Sequence, residues 1–182
     1  MQDKNRKLKI LGIVGSLRSN SSNEQLLKKI ESIYKDQMTL AFFPIGTLPH
    51  FDPNLSTEEI PEVVKEFIHR IGESDGVIIS TPEYVFSPPA LLKNCLEWAV
   101  SETVFTRKPT ALIVASGNGE KTLESISLVL KTLQVSMPEA SILLLKGLRS
   151  QMKDDDFTNL EIVSRLDSLM KSFLQSINIE KL

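Results

Sequence analysis

Short apolar runs alternate along the chain with longer stretches in which apolar residues return every three or four positions. The runs lie at 8–14, 76–80, 110–115 and 141–146, with a weaker one at 38–45. Continuous apolar runs of this length predict strands buried on both faces, as in a parallel sheet. Between them, residues 23–34 carry Leu26, Leu27, Ile30 and Ile33 at helical spacing, and 120–134 carry Leu123, Ile126, Leu130 and Leu133. A further helix is expected over 91–100, after Pro88 and Pro89. Ser56 with Glu59 forms a capping-box pattern ahead of a helix reaching about Ile71, with Pro61 near its first turn. Thr158 with Glu161 repeats that pattern before a last helix bearing Leu166, Leu169, Phe173 and Ile177.

Five strands alternating with five helices predict an α/β fold, a doubly wound five-stranded parallel sheet with helices on both faces. The 182 residues suit one domain, 1–182, and no linker or repeat divides them. The stretch 44–53, with its prolines, reads as a long internal connection, and 153–156 as a solvated loop.

Composition narrows the function. Twenty-one Lys and Arg against 23 Asp and Glu leave a net charge of −2, which argues against a nucleic-acid binder with a broad basic face. It argues less firmly against an acidic electron shuttle. One cysteine excludes an intramolecular disulfide framework, and two histidines disfavour a Cys/His zinc site. No apolar run approaches the ~18 residues of a membrane span. Residues 1–9 are not followed by the long apolar segment of a signal peptide, so a cytoplasmic protein without membrane contact is expected.

In doubly wound sheets, ligands bind beyond the carboxyl ends of the strands, where the strand order reverses. The loop after the first run reads Gly15, Ser16, Leu17, Arg18, Ser19, Asn20, Ser21, Ser22, Asn23 and enters a helix directly. Hydroxyls, one Arg and a helix N-terminus suit a phosphate. A Ser/Asn-rich turn that merely caps the helix is the alternative reading. Neither G-x-G-x-x-G nor G-x-x-x-x-G-K-[ST] is present, so a dinucleotide fingerprint and an NTPase loop are disfavoured. The loop after the third run holds Pro82, Glu83, Tyr84, Val85, Phe86, Ser87, Pro88 and Pro89. Its restricted backbone and aromatics suit a planar heterocycle, or else pack as a plain Pro-rich turn. After the fourth run, Ser116, Gly117, Asn118 and Gly119 would let a ligand approach the backbone.

Together these residues resemble the NAD(P)H-dependent FMN reductase family of flavodoxin-like proteins. The family pattern G-S-x-R-x-x-S-x-N is matched by Gly15, Ser16, Arg18, Ser21 and Asn23. The pattern P-E-Y-N-x-S-x-P-G-x-L-K-N-x-x-x-W is matched at Pro82, Glu83, Tyr84, Ser87, Pro89, Leu92, Lys93, Asn94 and Trp98. The likeness runs over about 8–148, including the segment 48–53.

The resemblance implies a flavodoxin-like fold and FMN as cofactor, with NADPH or NADH as electron donor. Ser16, Leu17, Arg18, Ser21, Ser22 and Asn23 would surround the FMN phosphate. Pro82, Glu83, Tyr84 and Val85 would line the isoalloxazine ring, largely through backbone groups, with Ser116 and Gly117 approaching it from the next loop. It further implies a homodimer or homotetramer and a small-molecule electron acceptor such as a flavin, quinone or azo compound. Val85 stands where the pattern has Asn, Ala90 where it has Gly, and Gly119-Glu120 where many members have a Gly pair. These departures bear on substrate range.

Such a reductase transfers hydride through the flavin, so no side-chain acid or nucleophile is required. His50, His69, Cys95 and Trp98 accordingly read as surface or packing residues. A hydrolase would need G-x-S-x-G at a strand end, which is absent. A phosphoacceptor domain would need acidic residues where Gly15-Ser16 and Ser80-Thr81 stand. The remaining rival is a non-enzymatic FMN-binding electron carrier or redox-sensing module.

Overall fold

The apolar runs pair as parallel strands in the order β2-β1-β3-β4-β5 in the computed structural model, which describes residues 6–100, 102–153, 156–157 and 159–180. The strands are β1 (Leu8–Val14), β2 (Met38–Phe42), β3 (Gly76–Thr81), β4 (Thr110–Ser116) and β5 (Ile142–Lys146). The helices are α1 (Ser22–Tyr34), α2 (Glu62–Glu73), α3 (Ala90–Trp98), α4 (Glu120–Thr132) and α5 (Leu160–Glu180). Register follows from the period of two. On one face Leu11, Ile13, Val77, Ile79, Leu112 and Val114 meet α2, α3 and α4. On the other Ile10, Ile78, Ala111 and Ile113 meet α1 and α5. Each fully buried aliphatic side chain in these layers contributes roughly 1.5–3 kcal/mol.

Two expected boundaries, at β2 and α2, move for local reasons. β2 stops at Phe42, short of residue 45, because Pro44 has no N–H and residues 45–47 wind into a 3-10 turn. α2 begins at Glu62, not behind Ser56. The Glu59 carboxylate does accept the Ser56 amide at 3.0 Å and hydroxyl at 2.7 Å, but it closes a separate turn. Pro61 disfavours helical geometry at Ile60, so the helix starts only after it. At α5 the amide of Glu161 is accepted by Asn159 Oδ1 at 2.9 Å; Thr158, the expected cap, lies outside the described residues. Within the expected 153–156 loop, β6 (Met152–Lys153) pairs antiparallel with β7 (Asp156–Phe157), while Asp154 and Asp155 lie outside the described residues.

The functional end of the sheet is where β1 and β3 separate. Gly15 donates to Ser80 O at 2.8 Å, the last rung before the first loop departs. A Cβ on Gly15 would stand 2.8 Å from Thr81 Cβ and closer still to its hydroxyl. We therefore expect Gly15→Ala to force β1 and β3 apart and lower stability by about 1–3 kcal/mol, the range for overpacking. Urea unfolding followed by circular dichroism measures it.

Candidate functional site

A cavity of about 570 Å³ opens at the carboxyl ends of β1, β3, β4 and β5. Its size lies within the ~300–1,000 Å³ usual for small-molecule sites. Ser16, Arg18, Ser21, Ser22 and Asn23 form one wall, Pro82 and Tyr84 another, and Ser116 and Gly117 a third. Nine of the twelve residues singled out in the sequence thus meet at one opening.

The first loop is organised by its own hydroxyls. Ser21 caps α1, its Oγ accepting the Glu24 amide at 3.2 Å. Ser22 and Asn23 open the helix, and helix geometry leaves their amides without an intrahelical acceptor. Ser16 Oγ accepts the Arg18 amide at 3.3 Å and lies 3.4 Å from the Tyr84 hydroxyl, linking the first and second loops. Arg18 is exposed, and among the described residues no carboxylate pairs with it. Positive charge, free amides and hydroxyls therefore converge at the positive end of α1, the arrangement that attracts an anion.

The Asn23 side chain is otherwise engaged. Buried to 2% exposure, it donates from Nδ2 to Ala115 O at 3.2 Å and accepts from Ser80 Oγ at 2.8 Å. Its amide group is spent on β3 and β4, which places the helix start over the strand ends. Leu17, Glu83 and Val85 are the three singled-out residues that do not line the cavity. Leu17 is exposed and lies against Gly46. Glu83 turns its carboxylate onto α4, accepting the Gly119 amide at 3.2 Å and the Thr122 amide at 2.9 Å.

Val85 sits at the tip of a two-residue hairpin. Tyr84 and Ser87 exchange backbone hydrogen bonds at 2.9 and 3.0 Å, and Val85 and Phe86 between them have φ of 51° and 57°. Left-handed backbone is costly for a β-branched residue and far easier for Asn. The chain therefore carries local strain beside its cavity. Both tip side chains are exposed, Val85 to 94%.

The loop after β5 was not anticipated: Gly147, Leu148 and Ser150 complete the wall. Its position at the same sheet end was the available signal. Glu120, by contrast, pairs with Lys146 and does not line the cavity, and this hydrogen bond holds its carboxyl below the usual range. The motif residues Asn94 and Trp98 act at one remove. Both donate to Pro49 O, at 2.9 and 2.8 Å, and Asn94 Oδ1 accepts the Phe51 amide at 2.8 Å. Phe51 meets the Trp98 ring edge-on at 5.2 Å, so the 49–51 segment is fastened to α3. Cys95 is fully buried and bonded to Leu92 O, and burial pushes its thiol far up. His50 and His69 are exposed and away from the cavity. Among the described residues, no cluster of His, Cys, Asp and Glu would hold a metal, and no helix is long and apolar enough to cross a membrane.

Two outcomes follow from this geometry. Asn23→Ala strands the Ser80 hydroxyl and the Ala115 carbonyl in a buried place and should cost about 1–3 kcal/mol, read from denaturant unfolding. Val85→Asn should do the opposite, relieving the left-handed strain and raising stability by about 1 kcal/mol in the same measurement.

The chain matches the model described as NADPH-dependent FMN reductase over residues 8–146. It is 39% identical over 112 residues to a 2-hydroxy-1,4-benzoquinone reductase of a Burkholderia species, covering 60% of this chain and 61% of that protein. The chain thus spans about three fifths of that relative's length in the match. Over 171 residues it is 28% identical to the NADH:(hydroxy)cinnamate reductase subunit CrdA of Vibrio ruber, covering 90% of this chain and 84% of the other. Among solved structures, the flavoenzyme NAD(P)H:(acceptor) oxidoreductase FerB of Paracoccus denitrificans superposes with a TM-score of 0.80 at 28% identity, over 94% of this chain and 97% of that one. With the matched span carrying the first three cavity loops and the five parallel strands, the chain belongs to the NADPH-dependent FMN reductase family.

Proposed function

We propose that the cavity binds FMN and that the protein is an NAD(P)H-dependent reductase of a small acceptor, a quinone in the first instance. The observation that carries this reading is the polarity of the opening. Arg18 and four serine hydroxyls stand in the loop that enters α1, and a rigid loop with Tyr84 stands across from them. The residues present fit the cofactor. The volume is adequate, and a Cβ on Gly117 would meet nothing within 4 Å, so the third loop offers bare backbone to open space.

In this reading Ser16, Arg18, Ser21 and Ser22 hold the phosphate, with the amides of Ser22 and Asn23 beneath it. The backbone of residues 82–85 and of Ser116 and Gly117 borders the ring. Bound FMN supplies the redox chemistry, accepting reducing equivalents from NAD(P)H and releasing them to the acceptor. The protein's own part is to orient the ring and leave one side of it open to donor and acceptor in turn. No side chain of the cavity needs to exchange a proton by itself.

The quinone is favoured as acceptor by the relative that reduces a benzoquinone. A homodimer or homotetramer in the cytoplasm is part of the same proposal. The exposed Leu17, Tyr84, Val85 and Phe86 give the rim an apolar character that a second copy would cover.

The test is direct. Purified protein should bind FMN, turn yellow and oxidise NADPH or NADH when a benzoquinone is added. Arg18→Ala should weaken FMN binding by about 1.5–3 kcal/mol, the worth of a hydrogen bond to a charged group, measured by fluorescence titration. A yellow protein without nicotinamide oxidation would be a flavin-binding carrier, and unchanged affinity in the variant would move the phosphate elsewhere.

A further inference from the structure

We propose that Glu83 is a positioning residue for the reductase site: its carboxylate clamps the loop after β4 to the loop after β3, so that two walls of the cavity move as one. This rests on the flavin reading above for its functional consequence, but the clamp itself is a property of the chain alone.

The sequence sets up a helix that cannot cap itself. α4 follows Gly119, which has no side chain and a φ of 99°. That φ strains any residue with a side chain, and a Cβ there would also stand 2.6 Å from Leu144 Cδ1, so a Ser, Thr or Asp cap is disfavoured in its place. The orphan amides at the start of α4 therefore need an acceptor from elsewhere. Glu83 supplies both of its oxygens, Oε1 to the Gly119 amide at 3.2 Å and Oε2 to the Thr122 amide at 2.9 Å. Thr122 is fully buried, so in the folded protein its N–H depends on that carboxylate for a partner.

The two ends of this bridge lie next to the cavity on either side. Pro82 and Tyr84 flank Glu83 in sequence and line the opening, while Ser116 and Gly117 line it just before Gly119. The bond thus ties the loop after β3 to the loop after β4, whose backbones would border the ring. It also has an electrostatic consequence. A carboxylate at the positive end of α4 neutralises that helix terminus. Of the two helix starts nearest the cavity, only that of α1, with Arg18, is left to attract an anion. Glu83 thereby occupies the start of α4 and sets how far apart these two walls of the cavity stand.

The experiment compares the full-length protein with Glu83→Ala and Glu83→Gln. In the flavin-free proteins, amide hydrogen exchange at Gly119 and Thr122 should accelerate at least tenfold in Glu83→Ala and by less in Glu83→Gln, whose amide oxygen still accepts. In the FMN-loaded proteins, Glu83→Ala should lose at least tenfold in kcat/KM for the quinone, mostly through KM. Glu83→Gln should recover at least a third of the loss on a logarithmic scale, and the flavin midpoint potential should rise in both because a negative charge has gone. Unchanged exchange at the two amides overturns the clamp. Faster exchange with kcat/KM and potential both unchanged overturns its role in the site. Failure of the unsubstituted protein to bind FMN or oxidise NAD(P)H would instead count against the reductase reading, and the exchange measurement would still decide the clamp.

Discussion

Where the chain leaves β1 to begin α1, it must carry a helix start across the ends of β3 and β4, strands on the far side of the point where the order reverses. That crossing depends on the Asn23 amide, which grips Ser80 from β3 and the Ala115 carbonyl from β4 in a place closed to water. Without these two bonds the buried end of the sheet would hold unpaired polar groups, and only the packing of Leu26, Leu27 and Ile30 would seat α1 above it. That side chain, with the Ser21 cap, therefore holds the first amides of α1 toward the anion-attracting end of the cavity.

A division of labour runs through the site. Some motif residues line the cavity: Ser16, Arg18, Ser21, Pro82 and Tyr84. Others hold those in place without reaching it. Asn94 and Trp98 fasten the 49–51 segment to α3, and Glu83 ties the third strand's loop to the start of α4. A motif written along the chain mixes the two kinds, because selection for a rigid opening and for contact with a ligand leaves the same mark on a string of letters. Rigidity matters here because a flavin brings its own chemistry, and what remains for the protein is position and electrostatics.

The strained Val85-Phe86 tip shows the same mixture from the other direction. Asn at the first position would tolerate the left-handed backbone at little cost, yet this chain carries Val there, exposed at the cavity rim. The hairpin is held from outside the tip, by the Tyr84–Ser87 pair and the prolines that follow, so the backbone keeps a conformation its residues do not favour.

The central strands β1, β3 and β4 were legible to within a few residues because burial on both faces forces unbroken apolar runs, while β2, at the sheet edge, alternates buried and exposed residues and gave the weakest run. The first three loops around the cavity were legible as well, since 15–23, 82–89 and 116–119 follow the strands with clusters of Ser, Asn, Gly or Pro. The sequence alone thus determined the alternating architecture and the residues that gather at one end of the sheet. It did not determine which way their side chains turn. Glu83 and Asn23 belong to contiguous motifs, but their partners lie 36 to 92 residues away. Whether a polar side chain faces a ligand or a distant backbone group depends on what the folded sheet brings within about 3 Å. The same holds for Gly147, Leu148 and Ser150, which became part of the wall only because β5 lies beside β4.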